Sequence, residues 1–248
     1  MKKYLSLSII AIAIMLFSGC TDSPTDNKDT TTLEEKYQSA IVDAMIADSN
    51  EISHSLIPVV LWNSDLYWQR FEDTTYVLAL ILTKYPSSYP VDQTVATSWG
   101  DTWVSVVPEL HDFFKNYQFS TDSALQLRLQ QLLGLPATSG SQYLVEAWVK
   151  PENLFRPAPN YAISDTVADL YFPSGINPEY IIWFNNNIIT SYYPEKGKTK
   201  YPWTRLGYTY DWGNPMHEEG LSEFVLRKNS QVIVKSVKTP REYIVSVN

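Results

Sequence analysis

The sequence predicts an α+β fold built as a single globular domain, and three observations carry that expectation. Segments of helical period and segments of strand character both occur, in no repeating strand, helix, strand order. The C-terminal part reads as successive antiparallel strands. From Leu33 onward no linker, charge block or internal repeat divides the chain.

The first element is a helix over residues 33–47. Leu33, Tyr37, Ala40, Ile41, Ala44 and Met45 recur at three- and four-residue spacing, Thr32 stands at the cap, and Glu34 and Glu35 occupy the first turn, where the helix dipole favours acids. Residues 75–83 are almost wholly apolar and run into the turn-formers Pro86-Ser87-Ser88-Tyr89-Pro90, which suits a strand buried on both faces. A second strand covers residues 102–107. Pro108 opens a short helix through Tyr117, and residues 122–133 form another, capped by Thr121 and stopped by Gly134 with Pro136 beyond. Residues 143–149 alternate as a strand. Over residues 178–193, Pro178 and Glu179 suit a helix start and Ile181, Phe184 and Ile188 its apolar face; three consecutive asparagines oppose it, and the expectation is helix. Residues 223–227 and 231–238 are strands about a turn at Lys228-Asn229-Ser230, and residues 242–247 are a last strand.

Ahead of the domain, Lys2 and Lys3 precede an apolar run over residues 4–17. A membrane-spanning helix needs about 20 apolar residues, whereas the apolar part of a signal peptide needs about 7 to 15, so the run predicts a cleaved leader. It ends in Leu16-Phe17-Ser18-Gly19-Cys20. Small residues at the two positions before the cysteine resemble the lipobox of bacterial lipoproteins, although Phe17 stands where that family prefers Leu. The resemblance covers residues 1–20 and implies a signal peptide over 1–19, cleavage before Cys20, and acyl chains on that cysteine that hold the protein to a membrane. Thr21, in place of the Asp that retains enterobacterial lipoproteins in the inner membrane, points to the outer membrane of a Gram-negative cell. Cys20 is the sole cysteine of 248 residues, so no intramolecular disulfide can form. The plainer alternative is ordinary secretion with Cys20 a free thiol. Residues 20–32, polar after the cysteine, form a flexible tether, leaving residues 33–248 as the domain.

The net charge is −8, and loss of Lys2 and Lys3 would take it to −10. Such an acidic chain lacks the basic surface that nucleic acid or anionic lipid would require. Membrane attachment is therefore assigned to lipid on Cys20. No phosphate loop, nucleophile elbow or His-Glu-x-x-His motif occurs, so no cofactor and no metal are expected, and catalytic residues are unknown.

His111 lies beside Glu109 and Asp112 after a predicted strand, where acid-base work or one metal ion would suit the three; as a solvated first helical turn they need no such role. His217, in Met216-His217-Glu218-Glu219, and His54, between two serines, read as surface or structural residues. The most unusual passage is residues 201–215, a long structured loop with a short strand over 206–210. Trp203, Arg205, Tyr208, Tyr210, Asp211 and Trp212 are its candidate binding residues, because aromatic faces stack on sugar rings and arginine clamps anions. The competing reading has the rings plug the core while Arg205 and Asp211 pair. A second patch sets Trp99, Asp101 and Trp103 on one side of an extended chain.

Three functions fit. The first is a non-catalytic binding or assembly protein of the cell envelope whose aromatic loop meets a glycan or an envelope protein. The second is a carboxylate-based polysaccharide hydrolase using two acids among Asp101, Glu109, Asp211, Glu218 and Glu223. The third is a structural lipoprotein with no small-molecule site.

Overall fold

The chain enters its fold through α1 (Leu33–Ala44), whose start is fixed by a capping box: the Thr32 hydroxyl accepts from Glu35 N–H, and the Glu35 carboxylate accepts from Thr32 N–H. Tyr37, Ala40, Ile41 and Ala44 bury one face, and the helix ends a turn before the expected residue 47. The computed structural model describes residues 30–214 and 216–245; Cys20, the lipobox and nearly all of the tether lie outside the described residues.

Beyond α1 the order is β1 (Trp68–Phe71), β2 (Thr74–Thr83), β3 (Thr94–Ala96), β4 (Thr102–Val106), α2 (Glu109–Phe114), α3 (Asp122–Leu132), β5 (Tyr143–Val149), β6 (Leu154–Phe155), α4 (Pro178–Tyr192), β7 (Tyr208–Tyr210), β8 (Glu219–Ser222), β9 (Phe224–Leu226), β10 (Gln231–Lys238) and α5 (Pro240–Val245). This is an α+β domain. An antiparallel sheet runs β3, β10, β5, β2, β4, β9, β6, with β1 paired to β2, while β7 and β8 form a separate ribbon.

β9 and β10 do not form the expected hairpin with one another. They stand four places apart in the sheet, about 19 Å in a flat one at roughly 4.8 Å per strand. The turn between them nonetheless closes with Ser230 N–H on the Arg227 carbonyl at 3.2 Å. The sheet must therefore curl until its ends approach. Thr97, after β3, staples the closure: its hydroxyl donates to the Arg227 carbonyl at 3.1 Å, and its carbonyl accepts from Asn229 N–H at 3.0 Å.

Strand alternation sorts the side chains across this curl. Val77, Ala79 and Ile81 of β2 meet Val104, Val145, Ala147, Phe224 and Val234 inside it. Leu78 and Leu80 point outward against Leu110 and Phe114 of α2, Leu125 and Leu129 of α3, and Tyr243 of α5. β2 is thus buried on both faces, as its unbroken apolar run predicts.

Over residues 242–245 the expected last strand is a helix instead, and its residues 246–247 lie outside the described residues. Residues 240–245 form α5, and the Thr239 hydroxyl and Glu242 carboxylate cap its start reciprocally. Thr239-Pro240-Arg241-Glu242 combines a capping box with proline at the first helical position, and these outweigh the strand propensity of the residues that follow.

Candidate functional site

Alternation in β9 also builds the site. Phe224 and Leu226 face the inner core, so Glu223 and Val225 face outward. Val225 lies opposite Trp103 of β4 and Phe155 of β6. Over this corner α4 lays Tyr180 and Phe184, and the loop after α4 adds Trp203.

Between that corner and the loop lies a cavity of about 410 Å³ walled by Trp103, Tyr201, Trp203, Tyr208 and Tyr210. Asn187, Thr190, Ser191, Thr209 and Glu223 add polar groups to its lining. Tyr201 and Trp103 are partly exposed, at 40% and 37%, and mark its solvent side; Trp203 and Tyr208, at 5% and 2%, lie within. Three of the lining residues each hold a polar atom that is shielded from solvent and has no hydrogen-bond partner: Trp203 Nε1, Asn187 Nδ2 and Glu223 Oε2. Each such orphan costs about 1–3 kcal/mol while it stays unmet. Burial pushes the Glu223 carboxyl well above its ordinary range, favouring the neutral form that can both donate and accept.

The aromatic loop is held by contacts far away in sequence. Asp211, 1% exposed, receives both terminal nitrogens of Arg128 at 2.7 and 2.6 Å, and its Oδ1 also accepts from Gly213 N–H. Arg205 does not pair with Asp211, correcting that expectation: it donates to the Ala44 carbonyl at 2.9 Å and lies over the Tyr192 ring. The Tyr192 hydroxyl stands between the carbonyl oxygens of Ala44, 2.6 Å away, and Trp203. Tyr208 donates to the Glu51 carbonyl at 2.7 Å, and Tyr210 to the Asp43 carboxylate at 2.8 Å. Trp212 packs edge-on against Tyr37, donates to the Leu135 carbonyl and does not itself line the cavity. Gly207, at φ +77°, is required twice over, since a Cβ there would stand 2.6 Å from Cδ of the fully buried Arg156.

The second patch divides. Gly100, at φ +148°, breaks the extended run. Trp99 turns to Tyr89, 5.3 Å between ring centroids, and donates to the Thr102 hydroxyl. Trp103 lies against Trp203 at 6.0 Å and so joins the cavity. Asp101 accepts from Trp183 Nε1 at 2.9 Å and from Lys228 N–H at 2.7 Å, fixing the Trp183 ring.

Of Asp101, Glu109, Asp211, Glu218 and Glu223, only Glu223 lines the cavity. Asp211 is consumed by Arg128, and Glu109 accepts from Ser222 N–H at 2.7 Å. Glu109, His111 and Asp112 also diverge: Asp112 is exposed beside Lys115, and His111 lies by a different cavity near Glu146 and Lys235. Among the described residues, no three His, Cys, Asp or Glu side chains form a metal-holding group. His54 and His217 are exposed.

Sequence reasoning overlooked what α4 contributes. Trp183 and Asn187 recur at the spacing of Tyr180, Phe184 and Ser191, a signal for the face that turns to the loop. Compared with protein-family models, curated proteins and solved structures, the chain shows no match.

Proposed function

We propose that this chain is a non-catalytic binding protein of the bacterial cell envelope, anchored by lipid on Cys20, that holds a neutral hydroxylated ligand of the glycan class in the cavity beside Trp203. One observation carries the reading: three of the residues lining a ligand-sized cavity walled by aromatic rings each hold a buried polar atom without a partner. Ring faces offer stacking to the C–H faces of a sugar. Trp203 and Asn187 carry unpaired donors, and a neutral Glu223 carries both a donor and an acceptor, which a ligand would meet once these side chains turn toward it. A hydrolase of the usual two-carboxylate kind needs a second acid facing the first, and Glu223 has none of the other four candidates in its cavity.

Anchoring rests on the lipobox resemblance, with Thr21 favouring the outer membrane. Two tests apply. Glycan arrays followed by titration calorimetry should give a ligand that wild-type protein binds and that Glu223→Gln binds at least about tenfold more weakly. Binding indifferent to both Glu223→Gln and Trp203→Phe would reject the cavity. Labelled palmitate should enter the wild-type chain and not Cys20→Ala.

A further inference from the structure

Trp183, Trp103 and Trp203 form a triangle of rings, with centroids 6.3, 6.0 and 6.1 Å apart, and Tyr180 and Tyr161 continue from Trp183 at 5.6 and then 4.8 Å. The Trp103 and Trp203 end belongs to the cavity. The other end, Trp183, Tyr180 and Tyr161, lines a separate groove of about 170 Å³ together with Asp101, Asn177 and Arg227. Asp101 and Trp103 are two residues apart, with Trp103 on β4, so cavity and groove lie one side-chain step apart, about 6.7 Å along extended chain.

The two compartments repeat one chemistry. Each sets indole and phenol rings beside polar groups, and in the groove those groups are exposed: Asp101, Asn177 and Arg227 all reach solvent. Arg227 lies over the Phe155 ring at 4.6 Å, which leaves its guanidinium edge available to a hydroxyl. Asp101 fixes Trp183 through the indole nitrogen, so the ring is set before any ligand arrives.

We propose that cavity and groove are adjoining subsites of one cleft, joined where Trp183 of the groove meets Trp103 and Trp203 of the cavity, and that the ligand is a linear neutral oligosaccharide at least two rings long. This rests on the cavity being a glycan site and adds the ligand's length and direction: one end enters beside Trp203 and Glu223, and the next ring lies on Trp183. Neutrality follows from the groove's mixed charges, Asp101 and Glu179 against Arg227, and from a chain of net charge −8 that repels polyanions.

The test is calorimetric titration of the described domain with its N-terminal segment, in detergent or as the Cys20→Ala chain, using cello-, malto- and N-acetylchito-oligosaccharides of one to six rings. The readout is the ratio of the affinity for the longer oligomers to that for the single ring. In the series that binds, this ratio should be about tenfold or more in wild type, the return on one further stacked ring. It should collapse toward one in Trp183→Ala. Tyr161→Ala, at a partly exposed position that folding does not depend on to the same degree, should lower the ratio as well. Glu223→Gln should weaken every length together and keep the ratio. A wild-type ratio near one, or a ratio unmoved by both groove variants, overturns the second subsite while leaving the cavity reading standing. No binding at any length in any series overturns the glycan reading itself.

Discussion

Arg128 and Asp211 meet guanidinium to carboxylate, two nitrogens against two oxygens, with Asp211 almost wholly removed from solvent. The pair joins α3 to the aromatic loop across 83 positions of sequence. Asp211→Ala should cost about 3–5 kcal/mol of unfolding free energy, because a part-buried cation loses its partner. The double change Arg128→Met with Asp211→Leu should cost much less than Asp211→Ala, since neither charge remains. Urea denaturation of the three proteins decides this; a loss below about 1 kcal/mol in Asp211→Ala would mean the loop is held by something else.

Gly207→Ala should destabilise by about 2–3 kcal/mol, since overpacking adds to a left-handed backbone that alanine resists. Gly140 has a similar φ, +71°, but open space around its missing Cβ, so Gly140→Ala should cost only about 1 kcal/mol. Equal costs in thermal unfolding would remove the role assigned to Arg156.

Burial pushes Glu109 up to about 8, outweighing the Ser222 N–H bond and the charge of Arg156, which both pull it down. An acid whose pKa rises on folding holds its proton more tightly in the folded chain. Its contribution is complete below its ordinary value of 4.5 and is lost as pH climbs through about 8. Glu223 shifts in the same direction. Stability should therefore decline between those pH values, and Glu109→Gln should flatten the decline. Parallel curves for variant and wild type in a pH series of denaturant midpoints would count against the buried carboxyl.

Glu223→Met should leave the empty protein as stable as wild type or more stable by about 1 kcal/mol, because it removes a shielded oxygen with no partner. The same change should abolish ligand binding. A large loss of stability in urea would show that Glu223 is structural.

Much of the fold is legible in the sequence because its signals are local. Thr32, Thr121 and Asn177 cap the helices that follow them, and the apolar run of β2 announces a strand with no solvent face. α5 shows two local signals in competition, a capping box against the β-branched residues behind Tyr243. The site is less legible, since its decisive contacts are distant. Arg205 and Asp211 look like a pair because they are six residues apart, yet their partners are Ala44 and Arg128. Trp203 and Trp103 both stand out in the sequence, but nothing local joins either to Glu223 or Asn187. Only the curl of the sheet and the placement of α4 bring these together.

The Ala44 carbonyl, at the end of α1, takes hydrogen bonds from both Tyr192 and Arg205, and Tyr192 also reaches the Trp203 carbonyl. In mechanical terms α1 and the cavity wall are coupled in series. Tension applied to the chain at Thr32 is carried through α1 to Ala44 and from there to the backbone that bears Trp203. A load on the chain ahead of Thr32 would thus reach the cavity wall through two hydrogen-bonded carbonyls.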